Sequence, residues 1–406
     1  MSEIDVATLS ARVVLTAPHG RLAAILALAT GGFAIGTGEF AIMGLLPAVA
    51  KNLHTTVPSA GWLISAYAGG VVVGAPLFAV LAARLSRRSV LIGLMLLYAV
   101  FNILTGLSHR YDMVLLFRFL AGLPHGAFFG IGALVAASMV ERRERTRAVG
   151  QMMLGLTTAT IIGAPLAAWC GAFIDWHLSY YMVGLIALLC VAGLLWALPP
   201  IPAQTGASPL TELGALGRVQ VWLALGTSAV GFGGLFAVYS YITPALMHRT
   251  HMSAAVVPLV LSVMGLGMAA GNTVGAWLVD RAPKRAVIGL LIWDTIVLLL
   301  FVPALPFAWA ATADAFLIGC GVALAPALQT RLMDVAGDAQ SLAASLNHSA
   351  FNTANGLGAA LAGIAISAGY GWSSPGWVGA LLALGGLLVF LLALFLERKH
   401  PIEVPA

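Results

Sequence analysis

The feature that most constrains this chain is a recurring apolar stretch of about 20 residues, the length a helix needs to cross ~30 Å of hydrocarbon. Such stretches run from end to end, separated by short polar connections. Inside hydrocarbon every backbone N–H and C=O must find a partner within the protein, and a helix satisfies them within one segment. Composition agrees, with 60% of residues hydrophobic and 9% charged. An ordinary soluble domain carries about 25% charged residues, and a soluble fold with so few could not cover its surface. An all-α membrane protein is expected.

Twelve spans fit: 22–49, 60–83, 90–107, 112–140, 147–173, 179–199, 219–244, 255–280, 286–305, 307–331, 340–369 and 375–396. The first follows Arg21 and starts like a signal peptide. Its apolar run continues to Ala50, too long for one, so it reads as an uncleaved helix. Of the 20 basic residues, 16 fall on one side: Arg12, Arg21, Arg84, Arg87, Arg88, Arg142, Arg143, Arg145, Arg147, Arg218, Arg281, Lys284, Arg285, Arg331, Arg398 and Lys399. Lys51, Arg110 and Arg249 fall on the other, and Arg118 stays within the membrane. Basic loops remain cytoplasmic, so both termini are expected in the cytoplasm. The net charge of +5 is scattered between hydrophobic runs and reads as a topology signal, with no nucleic-acid partner.

Residues 199–218, "PPIPAQTGASPLTELGALGR", form the longest polar connection and read as a cytoplasmic linker. It would join an N-terminal six-helix half, 1–198, to a C-terminal one, 219–406. A slide of 197 residues supports the repeat: Gly74, Leu81, Arg84, Arg88 and Val90 land on Gly271, Leu278, Arg281, Arg285 and Val287, and Arg87 lands on Lys284. Parallel six-span repeats with a site between them near the midplane are a transporter architecture. A channel or scaffold has no need of that duplication.

Four further stretches carry a resemblance: "GTGEFAIMGLLPAVA" in span 1, "RFLAGLPHGAFFGIGA" in span 4, "GLTTATIIGAPLAAWCG" in span 5 and "LQTRLMDVAGDAQSLAASLNHSAFNTANGLGAALAG" across spans 10 and 11. Over nearly its whole length the chain resembles the major facilitator superfamily. Within it, the match is to the twelve-span drug–proton antiporter family and its bacterial arabinose, purine and chloramphenicol exporters. The resemblance implies twelve transmembrane helices in two pseudo-symmetric halves, with spans 1, 4, 7 and 10 lining a central cavity. It further implies a monomer in the bacterial inner membrane that exports small molecules by alternating access in exchange for protons, the efflux that underlies drug resistance. The family's loop between spans 2 and 3 usually reads Gly-x-x-x-Asp-Arg-x-Gly-Arg-Arg. Here it is "AVLAARLSRRS", with Ala79, Ala83 and Ser86 at the glycines and the aspartate. The second copy, "GAWLVDRAPKR", keeps Gly275, Asp280 and Arg281. A latch between halves from Asp280, Arg281, Arg84 and Arg88 is therefore expected to lean on the second copy. In span 5, Gly163-Ala164-Pro165 stands where Gly-Pro is usual.

Charges inside the spans are the functional clue. Glu39, Arg118, Asp294 and Asp314 each cost at least ~2.5 kcal/mol in hydrocarbon unless they face a partner or water. Glu39 lies about 15 Å and Arg118 about 10 Å from the non-cytoplasmic end, at 1.5 Å per residue. The two are expected to pair and, with Asp314 and His125, to couple protons. Arg118 and His125 fall within about 20° of each other around the helix, with Gly122 between. Histidine, with an unperturbed pKa of about 6.5, can exchange a proton there. Asp294, on span 9, is expected to serve local structure.

Span 11 carries Ser341, Ser345, His348, Asn352 and Asn355 on one face. They line a substrate path or bond across to span 2. Tyr239 or Tyr241 of span 7, with Trp62 and Tyr67 of span 2, supplies aromatic walls, so the substrate set is Tyr239, His348, Asn352 and Asn355. Gly122, Gly126 and Gly130, like Gly267, Gly271 and Gly275, recur every four residues and suit close helix packing. Cys170, Cys190 and Cys320 show no metal-ligand spacing, and no metal or cofactor is expected. With no phosphate-binding loop, energy must come from a gradient, ~2.3 kcal/mol per charge per 100 mV. The alternative to drug efflux is export of sugars or purine nucleosides. An intramembrane enzyme lacks a catalytic constellation, and a scaffold would be expected to carry a sizeable loop.

Overall fold

The computed structural model describes residues 20–82, 85–141, 144–199, 217–336 and 340–399. Twelve crossings follow one another. In the first half they are α1 (Arg21–Asn52), α2 (Val57–Ala82), α3 (Arg87–Leu107), α4 (Tyr111–Gly122 and His125–Ser138), α5 (Arg145–Thr158, Ala159–Gly163 and Ala164–Phe173) and α6 (Trp176–Ala197). In the second they are α7 (Val219–Gly231 and Gly233–Arg249), α8 (Val257–Arg281), α9 (Pro283–Ala304), α10 (Ala308–Cys320, Gly321–Ala323 and Leu324–Ala336), α11 (Gln340–Ala365, then Ile366–Tyr370) and α12 (Ser374–Lys399). Eleven of them are long and apolar enough to cross a membrane. In α11 the serine, histidine and asparagine stripe dilutes the apolar content. Leu185, Leu189, Trp196, Leu388, Leu392 and Phe395 are exposed on the outside of the bundle, as a lipid-facing surface requires. Arg84, most of the 199–218 linker and both chain ends lie outside the described residues.

Interruptions in the helices have local causes. In α4 the break falls at Leu123–Pro124, where proline lacks an N–H and crowds the carbonyl four residues back. In α5 the Ala159–Gly163 segment widens into a π turn just ahead of Pro165, which relieves the same clash. Breaks in α7 at Phe232 and in α10 at Gly321–Ala323 use glycines.

The internal repeat is visible as packing. A side chain at Gly70, Gly74 or Gly122 would collide with the carbonyl of Phe119, Leu123 or Tyr67, so α2 and α4 cross with backbones touching. At the same sequence offset, Gly267, Gly271 and Gly319 meet the carbonyls of Phe316, Cys320 and Met264, where α8 crosses α10. The expected spacing holds except at Gly130, which has nothing within 4 Å.

The basic ends share one face. Arg21 pairs with Glu144 at 2.7 Å, and Arg88 donates to the Leu195 carbonyl at 2.5 Å, joining α3 to α6. Arg331 is 7% exposed and binds Glu397 at 3.1 Å and Gln220 at 3.1 Å, while Lys284 meets Glu397 at 2.9 Å. That network ties α7, α9, α10 and α12 together. At the far face, Tyr111 donates to the Ser59 carbonyl, His109 stacks on His177 and His248 on Trp372.

Candidate functional site

Glu39 lies on the seam between the two halves, away from the cleft at the far ends of the helices. A cleft of about 760 Å³ opens at the far ends of α1, α5, α6, α7 and α8, beside Lys51, Asp175, Trp176 and Thr243. None of the expected site residues lines it.

Glu39 is 5% exposed and crosses the seam: its Oε1 accepts a hydrogen bond from Asn355 Nδ2 of α11 at 3.1 Å. Its other oxygen lies 4.0 Å from His125 Nδ1. That same nitrogen is 3.0 Å from the Tyr67 hydroxyl. Close by, Phe40 packs on Tyr239 at 5.6 Å between ring centroids, α1 against α7. Toward the far face Ser65 donates across the seam to the Gly356 carbonyl at 3.0 Å, and Tyr241, whose hydroxyl faces Gly61 of α2, donates within the second half to the Ala359 carbonyl at 3.1 Å. The seam is thus packed where α1 meets α7 and where α2 meets α11, beside the cleft at the far ends.

Arg118 departs from expectation. It is fully buried, yet no ion pair with Glu39 occurs among the described residues. Its Nη1 instead donates to the Gly38 carbonyl at 2.7 Å, and its guanidinium carbon sits 4.3 Å from the Tyr67 ring centroid and 5.6 Å from that of Tyr180. Among the described residues, Nε and Nη2 have no hydrogen-bond partner. The arginine therefore points into the first half, stacked between aromatic rings, while the adjacent Glu39 points out across the seam. Arg118 and His125 do share a face, as both meet Tyr67.

The α11 stripe divides by depth. Asn355 reaches Glu39, and Asn352 donates to the carbonyl of His348 on its own helix at 3.1 Å. His348 lies flat on Phe129 of α4, with centroids 5.6 Å apart and planes 10° apart, and its ring is 6.3 Å from that of His125. The side chains of Ser341 and Ser345 lie outside those described. Trp62 is exposed on the bundle surface and so forms no cavity wall, whereas Tyr67 belongs to the charged cluster. Tyr239 and Tyr241 are both buried in the seam.

Asp314 is 4% exposed, with neither carboxylate oxygen partnered among the described residues, and it stands apart from the Glu39 cluster. Asp294 lies against Gly321 at the break in α10, where any side chain would collide with its carboxylate. At the basic face Asp280 is exposed with no ion pair among the described residues, and Arg281 folds back over the Trp277 ring at 3.9 Å. Arg88 is engaged with Leu195, and Arg84 lies outside the described residues. Sequence reasoning missed two partners, Phe129 and the Tyr67 hydroxyl. Tyr67 carried one signal, a polar tip in a span 2 whose only other hydroxyl is that of Ser65.

The profile described as Major Facilitator Superfamily matches residues 28–337 and 223–406. The inner membrane transport protein YdhP of Escherichia coli K12 is 41% identical over 383 residues, covering 93% of this chain and 96% of that protein. A chloramphenicol resistance protein of Streptomyces lividans is 31% identical over 372 residues, covering 89% and 94%. The crystal structure of the nucleoside transporter NupG superposes with a TM-score of 0.74 at 15% identity, over 92% of this chain and 99% of that one.

Proposed function

Because the chain belongs to the major facilitator superfamily, we propose that it exports small organic molecules across the cytoplasmic membrane by alternating access, in exchange for protons. The reading rests on one contact: the Glu39 carboxylate of the first half accepts the Asn355 amide of the second at 3.1 Å. An ionised acid strengthens a hydrogen bond from a neutral amide roughly twofold. Ionised Glu39 thus favours the closed far side, and protonation loosens it. The acid's charge and the position of the halves are then one coupled equilibrium.

Other residues take supporting parts. Arg118 holds α4 against α1 and α2 beneath the acid, so that Glu39 keeps its aim. Tyr239, Asn352 and Asn355 line the substrate path once the seam opens, and Asp314 is a second proton carrier in the other half. Asp280 and Arg281, with Arg84 and Arg88, latch the basic side when it closes; the exposed Asp280 fits an unlatched state. The working halves are 1–198 and 219–406, joined by the 199–218 linker, with both ends of the chain in the cytoplasm.

The similarity to a chloramphenicol resistance protein favours a drug-like substrate. A susceptibility panel of drugs, sugars and purine nucleosides, on cells with and without the protein, names the class. Flux of the identified compound in proteoliposomes should then follow an imposed proton gradient. Flux indifferent to that gradient would exclude antiport, and enhanced sensitivity only to sugars or nucleosides would replace drug efflux with the alternative.

A further inference from the structure

Resting on the reading of Glu39 as the proton carrier, we infer that His125 and His348 form a proton wire from Glu39 to the basic face. His348 then serves the proton and not the substrate. Three observations build the wire. Glu39 Oε2 is 4.0 Å from His125 Nδ1, with both side chains almost fully buried. The His125 and His348 rings are 6.3 Å apart across the seam, a separation that one water bridges. His348 is partly exposed where His125 is 3% exposed, and it stands two turns nearer the basic end of α11 than Asn355. His348 is therefore the more exposed end of the line, and His125 and Glu39 are both buried.

The groups that face this line are few. Glu39 comes from α1, Tyr67 from α2 and His348 from α11, while Arg118, on the same helix as His125, lies over the face of the Tyr67 ring. Tyr98 of α3 and Tyr239 of α7 are within electrostatic reach of Glu39. Phe129 lies flat on His348 and borders His125 at 5.3 Å, an apolar sleeve that keeps other water from the path.

The step balances. Once a side-chain rotation closes the 4.0 Å gap to hydrogen-bond distance, the O–H bond of protonated Glu39 breaks and an N–H bond forms at His125 Nδ1. The proton already on His125 Nε2 passes through the bridging water to His348, which releases one proton to solvent at the basic face. Glu39 is left as a carboxylate that retains the Asn355 hydrogen bond. A hydroxyl both donates and accepts, so Tyr67 can serve either tautomer of His125 and allow the ring to reset.

Infrared spectroscopy after a jump from acid to alkaline buffer tests the wire without a substrate, on the full-length protein in lipid nanodiscs. The carboxylic C=O band of Glu39 is assigned by its loss in Glu39→Gln. His348→Phe should slow the decay of that band at least tenfold and leave its equilibrium amplitude unchanged. His348→Ala should be as slow, and added imidazole should restore its rate. His348→Gln provides the smallest change in shape, and its native-like melting would show that slowing is not misfolding. Decay at the wild-type rate in these variants would overturn the wire. So would a changed amplitude at unchanged rate, which marks an electrostatic effect only, or failure of imidazole to rescue. If no band is lost in Glu39→Gln, the acid does not carry the proton. The coupling reading then fails first, separately from the wire.

Discussion

Arg118 is fully buried, with no ion pair among the described residues. A backbone carbonyl at 2.7 Å and the face of the Tyr67 ring at 4.3 Å stand in for a counter-ion. A lysine there would place a compact charge where a planar stack is needed. Arg118→Lys is expected to lose about 2 kcal/mol, the scale of a hydrogen bond to a charged group, seen as a lower melting temperature in detergent. An unchanged melting temperature would mean the stack contributes nothing. Outside the spans, Asp175 caps α6 by accepting from the His177 backbone at 3.0 Å and its ring at 2.6 Å. Partial burial raises its carboxyl, but the His177 hydrogen bonds outweigh this and hold it below the usual aspartate range. A depressed folded pKa gives stability that is present above the unfolded pKa and lost as pH falls through the folded one. Asp175→Ala should therefore cost about 1 kcal/mol at neutral pH and less in acid; a cost independent of pH would contradict the ionised cap. Glu39, Arg118 and His125 were legible in the sequence because charge is rare in hydrocarbon. The partner of Arg118 was not, because helical spacing gives directions on one helix and says nothing of how its neighbour is turned.

Glycine placement decides how the elements cross. Gly122 lies against the Tyr67 carbonyl, whereas Gly130, two turns on, faces open space. Gly122→Ala should destabilise by roughly 1–3 kcal/mol, as overpacking does. Gly130→Ala should be neutral or stabilising, since alanine is the better helix former by up to about 1 kcal/mol. Thermal unfolding of the pair measures the contrast, and equal effects would mean that the α2–α4 crossing does not set the cost. The four-residue spacing foretold both glycines alike, because a period identifies a face and not what covers it. The breaks in α4 and α5 were readable from Pro124 and Pro165. The break in α7 at Phe232 was not, for the flanking Gly231, Gly233 and Gly234 weaken a helix without forbidding one, and tertiary packing decides it.

At the scale of the whole molecule, twelve crossings and the repeat were legible because lipid leaves few alternatives to apolar helices and because Gly74 and Gly271 recur in step. The packing of α1 on α7 and of α2 on α11 was not, since a hydrophobic period carries no information on how the two halves are turned toward each other. The proposed topology predicts that a tag at Ser208 is reached only from the cytoplasm and that Trp309→Cys, 77% exposed in the parent residue, is labelled from outside. Labelling of the Ser208 tag by an impermeant reagent in intact cells would contradict the orientation. The central claim is that the charge on Glu39 sets the position of the halves through Asn355. Spin labels at His109→Cys on the first half and Trp309→Cys on the second, in a background with Cys170, Cys190 and Cys320 replaced, report the far-side separation by double electron–electron resonance. The account predicts a population with a longer distance that grows as pH falls in the parent protein, and a distribution independent of pH in Glu39→Gln. A pH-dependent shift that survives unchanged in Glu39→Gln would contradict it.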